Sequence, residues 1–390
     1  MTGPRRTRIL IVDDSAVMRS LLRAVVSCDA DLEIVGTAVD GASALDSLQI
    51  LRPDIILLDV EMPVMDGLAT LQVLRRQWSK IPVIMCSSLT QRGARVTIEA
   101  LACGAADYVA KPTGQSDREV ATRKLTRELI PKIRALTSRS RISPASKPEP
   151  ATASGVLQAR WAAPVSRGPI AFSPQPITST PSIAVIGVST GGPAALDVLV
   201  PRLPESFPLP VLIVQHMPEL FTRLLVQRLN GHCRLSVREA AEGDPVRAGC
   251  VYIARGNWHM ETVAPSLANG TPTLHLSQGP QENHCRPSVD VLFRSAANTY
   301  GSGVLAVVLT GMGSDGLNAC RMIRERGGTV LAQDEATSTV WGMPGAVANA
   351  GLAQKVLPLE HIASEIIRIA GQSTLSSAPI RRGHHQQAVS

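Results

Sequence analysis

Residues 183–192 read IAVIGVSTGG, an uncharged β-branched run that breaks into a serine and two glycines. The run predicts a buried strand over Ile183–Gly187, and Gly187-x-Ser189-x-Gly191 allows a sharp turn into a helix. Such an elbow lifts the Ser189 hydroxyl clear of the sheet edge, and the following helix start offers free N–H groups to an oxyanion. A dinucleotide loop would need glycine at 189, and a phosphate loop would need Gly-Lys-Ser/Thr; neither is present. On the elbow alone, a nucleophile and a plain glycine-rich turn both stand.

Further strands are expected at Val211–Gln215, Val251–Ala254, Val304–Leu309 and Thr329–Ala332. Ligands of open parallel sheets bind beyond the carboxyl ends of strands, so the residues just after each run are the candidates. A nucleophilic serine needs a base, and the base needs an orienting carboxylate. His216 follows VLIVQ directly and is the best placed of eight histidines; His259 is second. His232, His275, His284 and His361 read as loop or helix positions. Asp315, in TGMGSDG beyond Val304–Leu309, is the candidate carboxylate, with Asp290 and Asp334 as alternatives. The chain order Ser189, His216, Asp315 differs from that of the α/β-hydrolases.

Before this block lies another with the same alternation. Its strands are expected at Ile9–Val12, Glu33–Ala38, Ile55–Leu58, Val83–Cys86 and Tyr108–Ala110. At their ends stand Asp13 and Asp14, Asp59, Ser87 and Lys111. Three converging carboxylates repel unless a cation sits among them, and Mg²⁺ suits hard oxygen ligands. A hydroxyl and an ammonium beside them would complete a phosphoryl site, with Asp59 forming an acyl phosphate.

Through VDDS, LLDVEMPVMDG, CSS and AKP, residues 7–125 resemble the response-regulator receiver domain. The resemblance implies that Asp59 accepts phosphate and that Asp13, Asp14, Asp59 and the Glu61 carbonyl hold Mg²⁺. It also implies that Ser87 and Lys111 sense the phosphoryl group, that Tyr108 is a switch aromatic, and that the bond before Pro112 is cis. Through IGVSTGGP, VQHMP, RPSVDVLF, TGMGSDG and AQDEATSTVWGMPGAV, the chain as a whole resembles the chemotaxis protein-glutamate methylesterases. That resemblance implies Ser189 as nucleophile, His216 as base and Asp315 as its orienting group. Thr190 would lie beside the histidine and Met312 near the oxyanion, with no cofactor for the ester reaction. The implied partners are methyl-accepting chemotaxis receptors as substrate and a chemotaxis histidine kinase as phosphodonor. The substrate bond would be a γ-glutamyl methyl ester, with glutamine deamidation as a second activity. Two positions depart from the family pattern: Arg255 where a proline usually precedes Gly256, and Cys285 where a histidine usually stands.

The expected fold is two doubly wound parallel-sheet domains, a flavodoxin-like receiver and a Rossmann-like esterase domain. The expected boundaries are 7–125 for the receiver, 126–180 for a linker disordered from about 138, 181–371 for the esterase domain and 372–390 for a disordered tail. The linker reading rests on Ser138–Pro181, which holds eight of the 28 prolines and no apolar period.

Composition narrows the partners. The net charge of +7 sits in Arg5, Arg6 and Arg8, in residues 138–181 and in Arg381 and Arg382, which together carry +9 and leave about −2 elsewhere. No basic face is left for nucleic acid. Aromatic residues are only 3%, too few for base-stacking surfaces. Seven widely spaced cysteines without a C-x-x-C pair fit neither a disulfide framework nor a zinc site. Neither a signal peptide nor an apolar run of about 18 residues occurs, so a cytoplasmic protein without membrane insertion is expected.

Overall fold

A strand buried on both faces needs an almost continuous apolar run, and both halves of the chain supply such runs. The computed structural model describes residues 5–78, 80–112, 118–138, 180–265 and 270–376. In the first domain β1 (Thr7–Val12), β2 (Leu32–Ala38), β3 (Ile55–Asp59), β4 (Val83–Ser87) and β5 (Asp107–Ala110) form a parallel sheet of order β2-β1-β3-β4-β5. Helices α1 (Ala16–Val26), α2 (Gly41–Leu51), α3 (Gly67–Gln77), α4 (Gln91–Ala102) and α5 (Arg118–Thr137) cover its faces. The first four start on side-chain caps, Ser15, Asp40, Asp66 and Thr90, each accepting from an N–H of the first turn.

The second domain builds a seven-stranded parallel sheet of order β14-β13-β12-β6-β7-β9-β8. Its strands are β6 (Ile183–Val188), β7 (Val211–Gln215), β8 (Ser236–Glu239), β9 (Cys250–Ile253), β12 (Val304–Val308), β13 (Thr329–Gln333) and β14 (Lys355–Leu357). A separate antiparallel pair, β10 (His259–Val263) and β11 (Thr273–Ser277), was not expected from the alternation; His275 thus lies on a strand. The helices are α6 (Gly192–Leu199), α7 (Glu219–Asn230), α8 (Val289–Tyr300), α9 (Leu317–Glu325), α10 (Met343–Asn349) and α11 (Leu359–Ser376). The order reverses around β6 and β12, where a doubly wound sheet opens a crevice.

Three expectations need correction. Helix α5 continues to Thr137, twelve residues past the expected receiver boundary, because Leu129, Ile133 and Leu136 bury against the same core as Ile9 and Ile11. Helix α11 runs to Ser376, into the segment expected to be a tail. The cis bond among the described residues precedes Pro287, and the bond before Pro112 is trans. The linker from 139 to 179 and the tail after 376 lie outside the described residues. Among the described residues no helix is long and apolar enough to cross a membrane.

One hydrophobic cluster spans both domains, while each domain keeps a further core of its own. Helix α4 packs on α6 and α7, and Tyr108 stacks on Phe221 with ring centroids 4.4 Å apart. A buried face-offset aromatic pair adds about 1 kcal/mol beyond its area.

Candidate active site

Parallel register decides which side chains meet. Val188 of β6 pairs with Gln215 of β7, so Ser189 and His216 leave neighbouring strands side by side. Gln215 Nε2 ties the two together, donating to Ser189 O (3.0 Å) and His216 O (3.3 Å). Gly191 opens α6 at φ +78°, and a Cβ there would lie 2.3 Å from Thr339 Oγ1, so the turn excludes any larger residue. Unlike α1 to α4, α6 has no side-chain cap. The Ser189 N–H is not available to a ligand, since it donates to Thr310 O at 3.0 Å. Gly311 lies against Ser189, and a Cβ there would come within 2.8 Å of Ser189 Cβ. The exposed Met312 follows it directly.

Asp315 enters from the loop after β12. It is buried and accepts five hydrogen bonds. Oδ2 takes His216 Nε2 (2.8 Å) and Val289 N (2.7 Å); Oδ1 takes Asn283 Nδ2 (2.7 Å), Ser288 Oγ (2.8 Å) and Asp290 N (3.1 Å). Burial pushes its carboxyl up, but the His216 bond and charge and the two N–H groups outweigh that and hold it at about 2. Burial likewise lowers His216, while Asp315 and Cys285 overcome it and raise the imidazole to about 9. Because Nε2 donates to Asp315, the basic nitrogen is Nδ1. Cys285 Sγ lies 3.6 Å from Nδ1, and no hydrogen bond joins Ser189 Oγ to His216 among the described residues.

The other sequence candidates hold structural posts. His259 is buried between Pro280 O (2.9 Å) and Ser288 N (3.3 Å). Asp290 receives Ala319 N and Asn283 Nδ2, and Asp334 receives Thr337 N in a turn. Thr190, expected beside the histidine, follows Ser189 directly, and its hydroxyl donates to Asp107 Oδ2 of the receiver at 2.6 Å. Arg255 pairs with Glu219 at the start of α7 and lies over Trp258. Asn283, Ser288 and Asp107 were missed by the sequence reading. The first two fall in or beside RPSVDVLF, which signalled a specific segment without assigning roles.

The receiver cluster is the second candidate site. Asp13, Asp14 and Asp59 offer oxygens within 4.8 Å of one another. Lys111 Nζ lies 2.8 Å from Asp13 Oδ2 and 2.6 Å from Asp59 Oδ2. Burial raises Asp59 to about 6 against the lowering pull of Lys111. Three carboxylates this close, two of them sharing the single Lys111 ammonium, form a hard oxygen donor set that fits a divalent cation. Ser87 Oγ instead donates to Ser88 O and accepts from Thr97 Oγ1 of α4 at 2.7 Å. The Glu61 side chain pairs with Arg92 at 3.3 Å.

Comparison with known proteins agrees with this division. Residues 184–366 match the CheB methylesterase family and residues 9–122 the response regulator receiver domain. A protein-glutamate methylesterase/protein-glutamine glutaminase of Nocardioides sp. is 46% identical over 95% of this chain and 98% of its own length. Its counterpart from Trichodesmium erythraeum is 46% identical over 93% and 99%. The catalytic domain of Thermotoga maritima CheB methylesterase, 42% identical, is matched over its whole length and 49% of this chain, with a TM-score of 0.47. With identity of this level over nearly the full length of both chains, the chain belongs to the protein-glutamate methylesterase/protein-glutamine glutaminase family, a receiver domain joined to a CheB methylesterase domain.

Proposed function

We propose that Ser189, His216 and Asp315 hydrolyse γ-glutamyl methyl esters on the cytoplasmic helices of chemoreceptors. The observation that carries this is the His216–Asp315 bond of 2.8 Å beside the Ser189 elbow, with Asp315 fixed by four further donors. His216 Nδ1 takes the Ser189 proton as the oxygen attacks the ester carbonyl. Asp315 keeps Nε2 protonated and balances the imidazolium that forms. The oxyanion faces the uncapped start of α6 and the backbone around Met312. Collapse of the tetrahedral species returns the proton to methoxide, and methanol leaves. Water then attacks the acyl-serine by the same route and leaves glutamate. An amide carbonyl follows the same path with ammonia leaving, which covers glutamine deamidation.

The receiver domain regulates this site. Asp59 accepts a phosphoryl group from a chemotaxis histidine kinase, and Asp13, Asp14, Asp59 and the Glu61 carbonyl would hold Mg²⁺. The metal, when bound, offsets the charge of the transferring phosphoryl group. Lys111 and Ser87 read the product, Ser87 by leaving the Thr97 bond. Asp107 and Tyr108 on β5 press on Thr190 and Phe221, so the receiver restrains the residue next to the nucleophile until phosphorylation shifts β5. We assign residues 5–138 to the receiver and 180–376 to the esterase domain. Methanol release from a methylated receptor fragment tests the reading. It requires Ser189, and release by Ser189→Ala at the parent rate would sink it.

A further inference from the structure

The second polar contact of His216 belongs to no step above. Cys285 Sγ stands 3.6 Å from Nδ1, the ring nitrogen that Ser189 must use. The thiol is held there by construction. Residues 282–285 form a turn closed by paired backbone bonds between Glu282 and Cys285, with Asn283 and His284 at positive φ. Asn283 is anchored to Asp290 and Asp315, and Glu282 makes two 2.8 Å bonds to Arg294. Asp315 has its acceptor capacity filled by five donors, so the Cys285, His216 and Asp315 trio is poorly suited to share a cation. It is instead a thiol, an imidazole and a buried carboxylate in line, the arrangement that makes a sulfur nucleophilic. Cys285 is partly exposed, and the neighbouring His284 borders a cavity of about 740 Å³ between its loop and α5 of the receiver.

We infer that Cys285 is a peroxide-sensitive modification site whose oxidation disables the esterase. The sulfur passes its proton to His216 Nδ1 and attacks one oxygen of a hydroperoxide. An S–O bond forms, the O–O bond breaks, and the departing hydroxide or alkoxide takes the proton back from the imidazole. Sulfur loses two electrons and the peroxide gains them, giving a sulfenic acid and water or an alcohol. The oxidised sulfur then occupies the approach to Nδ1. Two equivalents of a small thiol restore Cys285, leaving a disulfide and water. The loss of hydrolysis rests on the esterase reading; the reactivity of the thiol does not.

The test treats the full chain with hydrogen peroxide and traps sulfenic acid with dimedone for peptide mass spectrometry, while methanol release is followed in parallel. Cys285 is expected to react about tenfold faster than the exposed Cys28 and Cys103, and His216→Gln to slow Cys285 alone by about as much. In aliquots without dimedone, methanol release is expected to fall in proportion to the Cys285 labelling of the trapped aliquots and to return with dithiothreitol. Equal rates at Cys285 and Cys28, or no effect of His216→Gln, would overturn the assignment of a reactive thiol. Activity that survives full labelling, or a loss that dithiothreitol does not reverse, would overturn the inhibition. An untreated chain that releases no methanol would count against the esterase reading and leave the labelling ratio to decide the thiol.

Discussion

Asp59 and Asp315 are both buried aspartates at the carboxyl edge of a parallel sheet, yet their surroundings push them in opposite directions. Asp315 is wrapped by five donors and held at about 2. Asp59 has the Lys111 ammonium and one adjacent N–H, and burial raises it to about 6. A carboxylate that orients a base must stay charged and never react, so every lone pair is engaged. The role proposed for Asp59, attack on phosphorus, needs free lone pairs, and its crowding with Asp13 and Asp14 is what a divalent cation would relieve. The difference matches the two proposed roles, positioning for Asp315 and reaction for Asp59.

Changes that break the comparison on the esterase side have the largest effects. Asp315→Asn should lower kcat for methanol release about 10³–10⁴-fold with a small change in KM, because the imidazole loses its tautomer and its counter-charge. A near-parental kcat would show that the five-donor shell has no catalytic purpose. Removing one donor probes the same shell more gently. Ser288→Ala should cost about tenfold in kcat, corresponding to roughly 1–2 kcal/mol for one hydrogen bond to a charged group.

On the receiver side, Asp59→Asn or a chelator should abolish stimulation by a small-molecule phosphodonor. Stimulation that persisted in Asp59→Asn would place the acceptor elsewhere. Between the domains, Asp107→Ala removes the partner of Thr190 and should raise the unphosphorylated rate up to about tenfold, read as methanol release without phosphodonor. The smallest expected effect is a shift in pH dependence. His216 is raised above its usual 6.5, so the free base is scarce at neutral pH and kcat/KM should climb through an apparent pKa above 6.5. Cys285→Ala removes one of the two contacts that raise it, so the acidic limb should move to lower pH. A limb that stays in place would mean the thiol does not bear on the base.

Much of this was legible in the sequence because parallel sheets put their chemistry at strand ends, and the strand ends here are marked by abrupt polar residues. VLIVQ-His216 and ILLD59 announce their positions, and the glycines around Asp315 mark a loop free to approach the site. Partners that arrive by tertiary return were not legible. Asn283 of the 282–285 turn and Ser288 at the start of α8 reach Asp315 from 32 and 27 residues away in sequence, and Asp107 meets Thr190 across a domain boundary, 83 residues away. The true length of α5 was legible in part. Leu125, Leu129, Ile133 and Leu136 keep helical spacing, but the receiver resemblance ended at 125 and the segment after it was assigned to the linker.

The most direct test of a receiver-gated serine esterase is the rate of methanol release by the full chain before and after Mg²⁺ and a phosphodonor are added. The basal rate should be slow, rise on phosphorylation in the parent and fail to rise in Asp59→Asn. Equal rates in both conditions for the parent chain would contradict this, since the contacts of β5 with Thr190 and Phe221 would then join the domains without restraining the site.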